Sequence, residues 1–332
     1  MKKLGIFVGE NENWTFFKEI FDDLSSHYQV ERFQKKTLRL PVLSHRVNDK
    51  LYREGIRSVL QRNDVAFFEW ASELLATASH MPKIAPIVTR LHSFELADWA
   101  HRIHWDHVDK VIFVSEAIRR RFIDQYPAQA GKAVLVYNAI STEKFFPVPR
   151  QFDFSLGMLC TIAPIKRVYE AILVVKELRD LGYSPTLHIA GGPANGNYQN
   201  RYYLAVHRLV EKLDMQQAVK FYGHVNNSAQ WLQNIDIYIS NSYWEGMQTS
   251  LLEAMATGCY CLAHFWDGVE EALPPDNIYR SDTDLKQKLI SYSELAEDER
   301  TRRKNQLVEI VCQKFNLANT KAMLREVIES VS

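Results

Sequence analysis

Short apolar runs alternate with longer stretches of helical periodicity along the chain. Residues 4–8 predict a first strand, and residues 14–25 predict a helix after it. Val65–Phe68 and residues 87–89 read as further strands. Residues 110–114 run as a strand into a helix, where Ser115 can act as the cap and Glu116 adds negative charge to the first turn. A strand at 134–136 ends at Asn138, and Pro147-Val148-Pro149 then stiffens the chain and marks a linker.

The second half repeats this logic. Residues 156–161 predict a strand, 169–181 a helix closed by Gly182, and Thr186–Ala190 a strand ending in Gly191-Gly192-Pro193. A helix at 202–213, a short strand at 219–221 and a buried strand at 235–240 follow. A helix at 249–257 stops at Gly258, a natural left-handed cap, and the strand at 259–263 comes next. The tail from 285 is helical and charged. Strands alternating with covering helices predict two doubly wound α/β domains, with ligands in a cleft at the C-terminal ends of both sheets. No internal repeat or low-complexity segment interrupts the pattern.

Composition narrows this picture. With 332 residues, 46% hydrophobic and 24% charged, the chain has the make-up of a soluble globular protein of two ordinary domains. Lys+Arg and Asp+Glu balance at 40 each, so the whole molecule offers no field for nucleic acid. The balance is uneven, however. Nine Lys/Arg face three Asp/Glu between Glu31 and Arg62, and Arg119, Arg120 and Arg121 form a further run. These are either solvated helical faces or a surface for acidic lipid or a phosphate-bearing acceptor. The four cysteines form no disulfide framework, and Cys259 and Cys261 alternate within a buried strand as small hydrophobes. No second Cys/His pair suggests a metal site. The apolar run at the N-terminus is too short for a signal peptide, and nothing approaches the roughly 20 apolar residues of a membrane span. A reducing cytoplasm, with the inner face of the membrane as a peripheral station, is the expected setting.

The richest chemistry lies in residues 241–256, where a buried strand runs through a loop into a helix. Free N–H groups at such a helix start bind phosphate, and Gly246 lets a ligand approach the backbone closely. Glu245 lies just before the helix. Glu253 lies within it, among Leu, Ala and Met, where a carboxylate is costly without a partner. Two ribose hydroxyls would be such a partner; a Glu facing solvent from a half-buried helix is the plain alternative.

Glu245-x7-Glu253 followed by Ala254-Met255-Ala256-Thr257-Gly258 closely resembles the retaining glycosyltransferases of family 4, which have the two-domain GT-B fold. Several other segments are similar to that family, in order and over most of the chain. They are Pro86-Ile87-Val88-Thr89-Arg90-Leu91-His92, Val114-Ser115-Glu116, the Asn138-to-Phe145 run, Leu187-to-Pro193 and Phe221-to-Val225. The resemblance implies an acceptor-binding Rossmann-like domain at 1–147, a nucleotide-sugar donor-binding Rossmann-like domain at 151–312, and a C-terminal helix at 313–332 packing back on the first. It implies that Glu253 holds the donor ribose and that Glu245 contacts the transferred sugar. Gly246, Met247, Gln248 and Thr249 would supply amides to sugar and phosphate. Lys166 would bind the diphosphate, and His92 would lie near the sugar and leaving group. Gly9, Asn138, Arg167 and Gly191 would complete the donor site.

Two departures stand out. The family usually has Gly-Arg five residues before its lysine, and Cys160-Thr161 stands there instead; Arg167 is the neighbouring charge that could replace it from a different direction. The loop after the first strand is usually a Gly-Gly pair, whereas Gly9-Glu10-Asn11-Glu12-Asn13 has one glycine and two acids, which could meet acceptor hydroxyls instead. The implied reaction moves a hexose, with retention, from a UDP- or GDP-linked donor to a glycan, lipid-linked or other hydroxyl acceptor, as in bacterial surface polysaccharide synthesis. It needs no metal and no cofactor: cations and amide dipoles at the diphosphate suffice. A nucleotide-sugar epimerase on the same fold and a non-catalytic GT-B subunit remain as alternatives.

Overall fold

The structure, a computed structural model, describes residues 1–9, 14, 17–38, 44–193 and 197–331. The chain divides into two compact units, Met1–Tyr137 with Ala318–Ser332, and Asn138–Leu317. That division falls upstream of the proline segment that the sequence marks as a linker.

The first unit contains β1 (Lys3–Phe7), α1 (Lys18–His27), β2 (Gln29–Arg32), α2 (Ser44–Arg62), β3 (Val65–Phe68), α3 (Glu73–Ser79), β4 (Ile87–Leu91), α4 (Phe94–Asp98), β5 (Lys110–Phe113), α5 (Glu116–Gln125) and β6 (Ala133–Leu135). Its six strands are parallel, in the order β2-β1-β3-β4-β5-β6. β3 and β4 are buried along their whole length, which is why they read as unbroken apolar runs: helices cover both faces of the sheet. Phe7 stacks on Phe68 at 4.3 Å and on Phe33 at 5.5 Å in one core. β2 carries no apolar run, only Gln-Val-Glu-Arg on an exposed edge, so periodicity gave no sign of it. Ser115 caps α5 by accepting from the Ile118 amide at 3.4 Å, as its position predicts.

The second unit contains β7 (Ser155–Leu159), α6 (Val168–Asp180), β8 (Thr186–Ala190), α7 (Asn197–Lys212), β9 (Val219–Gly223), α8 (Ser228–Leu232), β10 (Ile237–Ser240), α9 (Thr249–Ala256), β11 (Tyr260–His264), β12 (Ile278–Tyr279), α10 (Asp282–Ser293) and α11 (Glu297–Lys314). The sheet is again parallel, ordered β12-β11-β10-β7-β8-β9, so the strand order reverses beside β7. Buried Asp236 pins β7 beside β10, accepting from the amides of Asp153 and Ser155, both at 3.0 Å, and from the Ser155 hydroxyl at the same distance. Gly258 ends α9 at φ 82°, and a Cβ there would stand 3.0 Å from that of Pro147.

The last helix, α12 (Leu317–Glu329), lies almost wholly in the first unit. Buried Leu324 and Ile328 anchor it. Arg325 pairs with Asp23 of α1 at 2.5 Å, and Glu329 pairs with Lys2 at 2.7 Å. Among the described residues no helix is long and apolar enough to cross a membrane. The charged stretches are largely solvated faces with local partners: Arg53 pairs with Asp49, Lys50 with Glu54, and both Arg119 and Arg120 with Glu116.

Candidate active site

In the second unit the C-terminal end of β7 leads through a short helical turn at Pro164–Lys166 into α6. The C-terminal end of β10 leads through the Glu245 loop into α9. Both loops lie at the end of a parallel sheet where such folds place ligands. The Lys166 ammonium pairs with Glu245 Oε1, and the Ser242 hydroxyl donates to the same oxygen at 2.6 Å. The pair is accessible, with side-chain exposures of 20% and 13%. Cys160 adjoins it, and burial pushes its thiol up to about 12. Thr161, where an arginine was expected, is exposed.

Arg167 holds a left-handed conformation, φ 50° and ψ 41°, at the start of α6. Its guanidinium donates to Asn241 Oδ1 at 3.1 Å and to Asp282 at 2.7 Å, and lies over the Tyr243 ring at 4.9 Å. Asn241 answers by donating to the Arg167 carbonyl at 2.8 Å. Burial opposes the charge, but Asp282 outweighs it and the Arg167 pKa is raised. The fold brings Asp282 to Arg167 from the start of α10.

No side chain caps α9, whose N-terminal flank is Gln248. The Gln248 side-chain oxygen is buried without a hydrogen-bond partner. Asn138 fixes the loop by donating from Nδ2 to the Met247 carbonyl at 3.1 Å, while Gly246 and Met247 are buried. Glu253 is half-buried on α9. One turn earlier, Ser250 accepts from the Tyr238 hydroxyl at 2.8 Å, which also reaches the Leu159 carbonyl at 3.2 Å. This brings the ends of β7 and β10 and the first turn of α9 together. Gly191 has a local reason to be glycine: at φ 126°, an added Cβ would lie 1.9 Å from the Cys160 carbonyl oxygen.

In the first unit, His92 follows β4 and is 7% exposed. Its Nε2 lies 3.1 Å from Glu69 Oε1, the same oxygen that accepts from Arg90 at 2.9 Å. Glu69 and Arg90 are fully buried, and Glu69 Oε2 has no hydrogen-bond partner. Trp70 packs against the His92 ring at 4.0 Å. The backbone amides of His92 and Ser93 donate to Glu95, whose pKa is raised by burial. Gly9 lies at the end of β1 on the wall of a cavity; residues 10–13, the rest of that loop, fall outside the described residues.

Sequence reasoning missed Glu69, Arg90, Asn241 and Asp282. The first two left a signal. A carboxylate ending Val65–Phe68 and an arginine inside an apolar run are buried charges on neighbouring strands, and each needs the other.

Two family models match the chain, and neither overlaps the other. One, Glycosyltransferase Family 4, matches residues 21–144, and the other, Glycosyl transferases group 1, matches residues 154–290. The chain is a family 4 glycosyltransferase.

Solved structures agree on the fold of this glycosyltransferase. Anabaena Alr3699/HepE in complex with UDP and glucose is 16% identical, with a TM-score of 0.81 over 99% of this chain and 100% of that one. Sucrose-phosphate synthase from Thermosynechococcus elongatus is 13% identical, with a TM-score of 0.77 over 99% of each chain. The lipopolysaccharide outer core galactosyltransferase WaaB, in its apo form, is 17% identical, with a TM-score of 0.69 over 99% of each. These likenesses and the two parallel six-stranded sheets make the fold GT-B. No curated protein matches the sequence.

Proposed function

We propose that this glycosyltransferase moves a hexose, with retained configuration and without a metal, from a UDP-sugar to a hydroxyl of a glycan or lipid-linked glycan. The observation that carries the reading is the accessible Lys166–Glu245 pair beside the uncapped start of α9. A nucleotide diphosphate would draw Lys166 from Glu245, gaining a cation and a helix N-terminus at the phosphates. Glu245, released, would accept from hydroxyls of the transferred sugar. Glu253 would accept from the ribose, and the amides from Gly246 to Thr249 would line sugar and phosphate. Asn138 serves this site by holding the Met247 carbonyl. Arg167, tied to Asp282 and Asn241, shapes the loop and adds positive potential.

Bond cleavage builds negative charge on the departing phosphate, which Lys166 and the helix start stabilise. The acceptor hydroxyl enters on the face that the phosphate leaves, and passes its proton to a phosphate oxygen. The choice of uridine follows HepE, whose structures hold UDP and UDP-glucose.

A panel of UDP-, GDP- and ADP-sugars, scored by mass spectrometry with and without EDTA, tests this. A UDP-sugar should be consumed fastest, with EDTA leaving the rate unchanged. Consumption of GDP- or ADP-sugars only, or loss of rate in EDTA, would overturn it. Conversion of the donor to its epimer without acceptor would instead favour an epimerase.

A further inference from the structure

The first unit holds a cationic, aromatic cavity with Gly9 on its wall, and its charged and aromatic side chains have no role in the donor chemistry proposed above. It has a volume of about 430 Å³ and opens where β1 and β2 end, at Gly9 and Arg32, against the start of α3 at Glu73. Lys35, Phe94 and Trp99 also line it. A neighbouring cavity of about 300 Å³ shares Glu73 and Trp99 and adds Arg53 and Arg102. Together their linings carry one carboxylate, Glu73, and four cations, of which Arg53 is paired with Asp49.

Arg32 and Lys35 are anchored by rings rather than by acids. The Arg32 guanidinium lies 3.9 Å over Trp14, the Lys35 ammonium 5.1 Å from the centre of Tyr52, and neither forms an ion pair among the described residues. A guanidinium held by a ring face keeps its in-plane donors for a planar anion. Phe94 is 40% exposed and lines the cavity, so its ring is available to the apolar face of a sugar. It packs at 5.5 Å on Trp70, which packs at 4.0 Å on His92. Two successive ring contacts thus lead from the cavity to His92.

We propose that these cavities bind the acceptor, and that the acceptor is a saccharide bearing an anionic group, a uronate carboxylate or a phosphate. The anion meets Arg32 and Lys35, a sugar face lies on Phe94 and Trp99, and Glu73 accepts from hydroxyls. Arg53 and Arg102 then favour a second anionic sugar further along the chain. This rests on the reading of the protein as a glycan-modifying transferase.

The test is binding to the full chain, by calorimetry or saturation-transfer NMR, of three probes: nitrophenyl β-glucuronide, glucose 6-phosphate and neutral nitrophenyl β-glucoside. At least one anionic probe should bind about tenfold tighter than the neutral one at low salt, and the gap should shrink as salt screens it. Which anion binds identifies carboxylate or phosphate as the source. Arg32→Gln with Lys35→Gln should erase the gap, and Phe94→Ala should weaken all probes alike. Equal binding of neutral and anionic probes, or a gap surviving in a double variant that unfolds normally on heating, overturns the proposal. UDP binding is measured on the same sample. Its loss with the anionic preference intact would count against the donor reading and not against this one.

Discussion

Glu69 in the first unit and Glu245 in the second use a carboxylate in the same way. Each presents one oxygen to a cation and to a second polar side chain, Arg90 and His92 in the first case and Lys166 and Ser242 in the second. The difference is access. Arg90 and Glu69 are 1% and 0% exposed, whereas Lys166 and Glu245 retain 20% and 13%. A sealed pair cannot trade partners without unfolding its surroundings, and breaking it leaves a buried charge stranded. An open pair can be parted by a competing ligand at little structural cost. The first arrangement fixes a geometry, and the second waits for an anion.

The sharpest way to break this comparison is to cut each pair on one side. Glu69→Ala takes the buried carboxylate away from Arg90 and His92 and should destabilise the first unit by about 3–5 kcal/mol. Replacing both, Glu69→Leu with Arg90→Met, should cost less than the single change, because no charge is left uncompensated. Chemical denaturation followed by circular dichroism reads both. If the single variant is as stable as the parent, the cluster does not anchor the first unit.

Lys166→Ala should behave in the opposite way. It leaves a carboxylate that solvent can reach, so the unfolding midpoint should move little, while the rate of sugar transfer should fall about 10²–10³-fold. Glu253→Gln should also depress transfer with the fold intact. Full transfer rates in both variants would remove the donor site from this loop.

The architecture was legible because its signal is long-range and repetitive. Val65–Phe68, Ile87–Leu91 and Tyr260–His264 are buried on both faces and therefore announce themselves as apolar runs. The edge strand Gln29–Arg32 is invisible for the converse reason. In the site, Glu245, Lys166 and the start of α9 were legible as a motif, yet the ion pair between the first two was not. It joins residues from two separate loops, and only the β7–β10 pairing brings those loops together. The same holds for Arg167 and Asp282. Read along the chain, Arg167 is a free charge beside Lys166; in the fold it is buried and spoken for.

That tie offers an intermediate case between the sealed and open pairs, since Arg167 is buried while the Asp282 side chain is 43% exposed. Asp282→Asn keeps a hydrogen-bond acceptor but removes the charge, and should cost about 1 kcal/mol. If Arg167 serves the loop rather than the donor, the same variant should change transfer less than Lys166→Ala does. A loss as large as that of Lys166→Ala would instead make Arg167 a direct donor contact.

The smallest effect concerns Glu95, which sharpens what sealing does to a charge. Burial raises its pKa, although the His92 and Ser93 amides donate to it. The folded state therefore holds a proton that the unfolded chain has already released. The native state binds more protons between the ordinary glutamate value and the raised one, so stability falls as pH rises through that window. Glu95→Gln removes the titration while keeping an acceptor for the amides. The variant should match the parent below the ordinary glutamate range and lose less stability above it, so that its profile is flatter. Denaturation midpoints measured in steps upward from about pH 4 give the slope directly. A variant whose stability falls as steeply as the parent's would mean that other groups set the slope and that the amides alone keep Glu95 ionised.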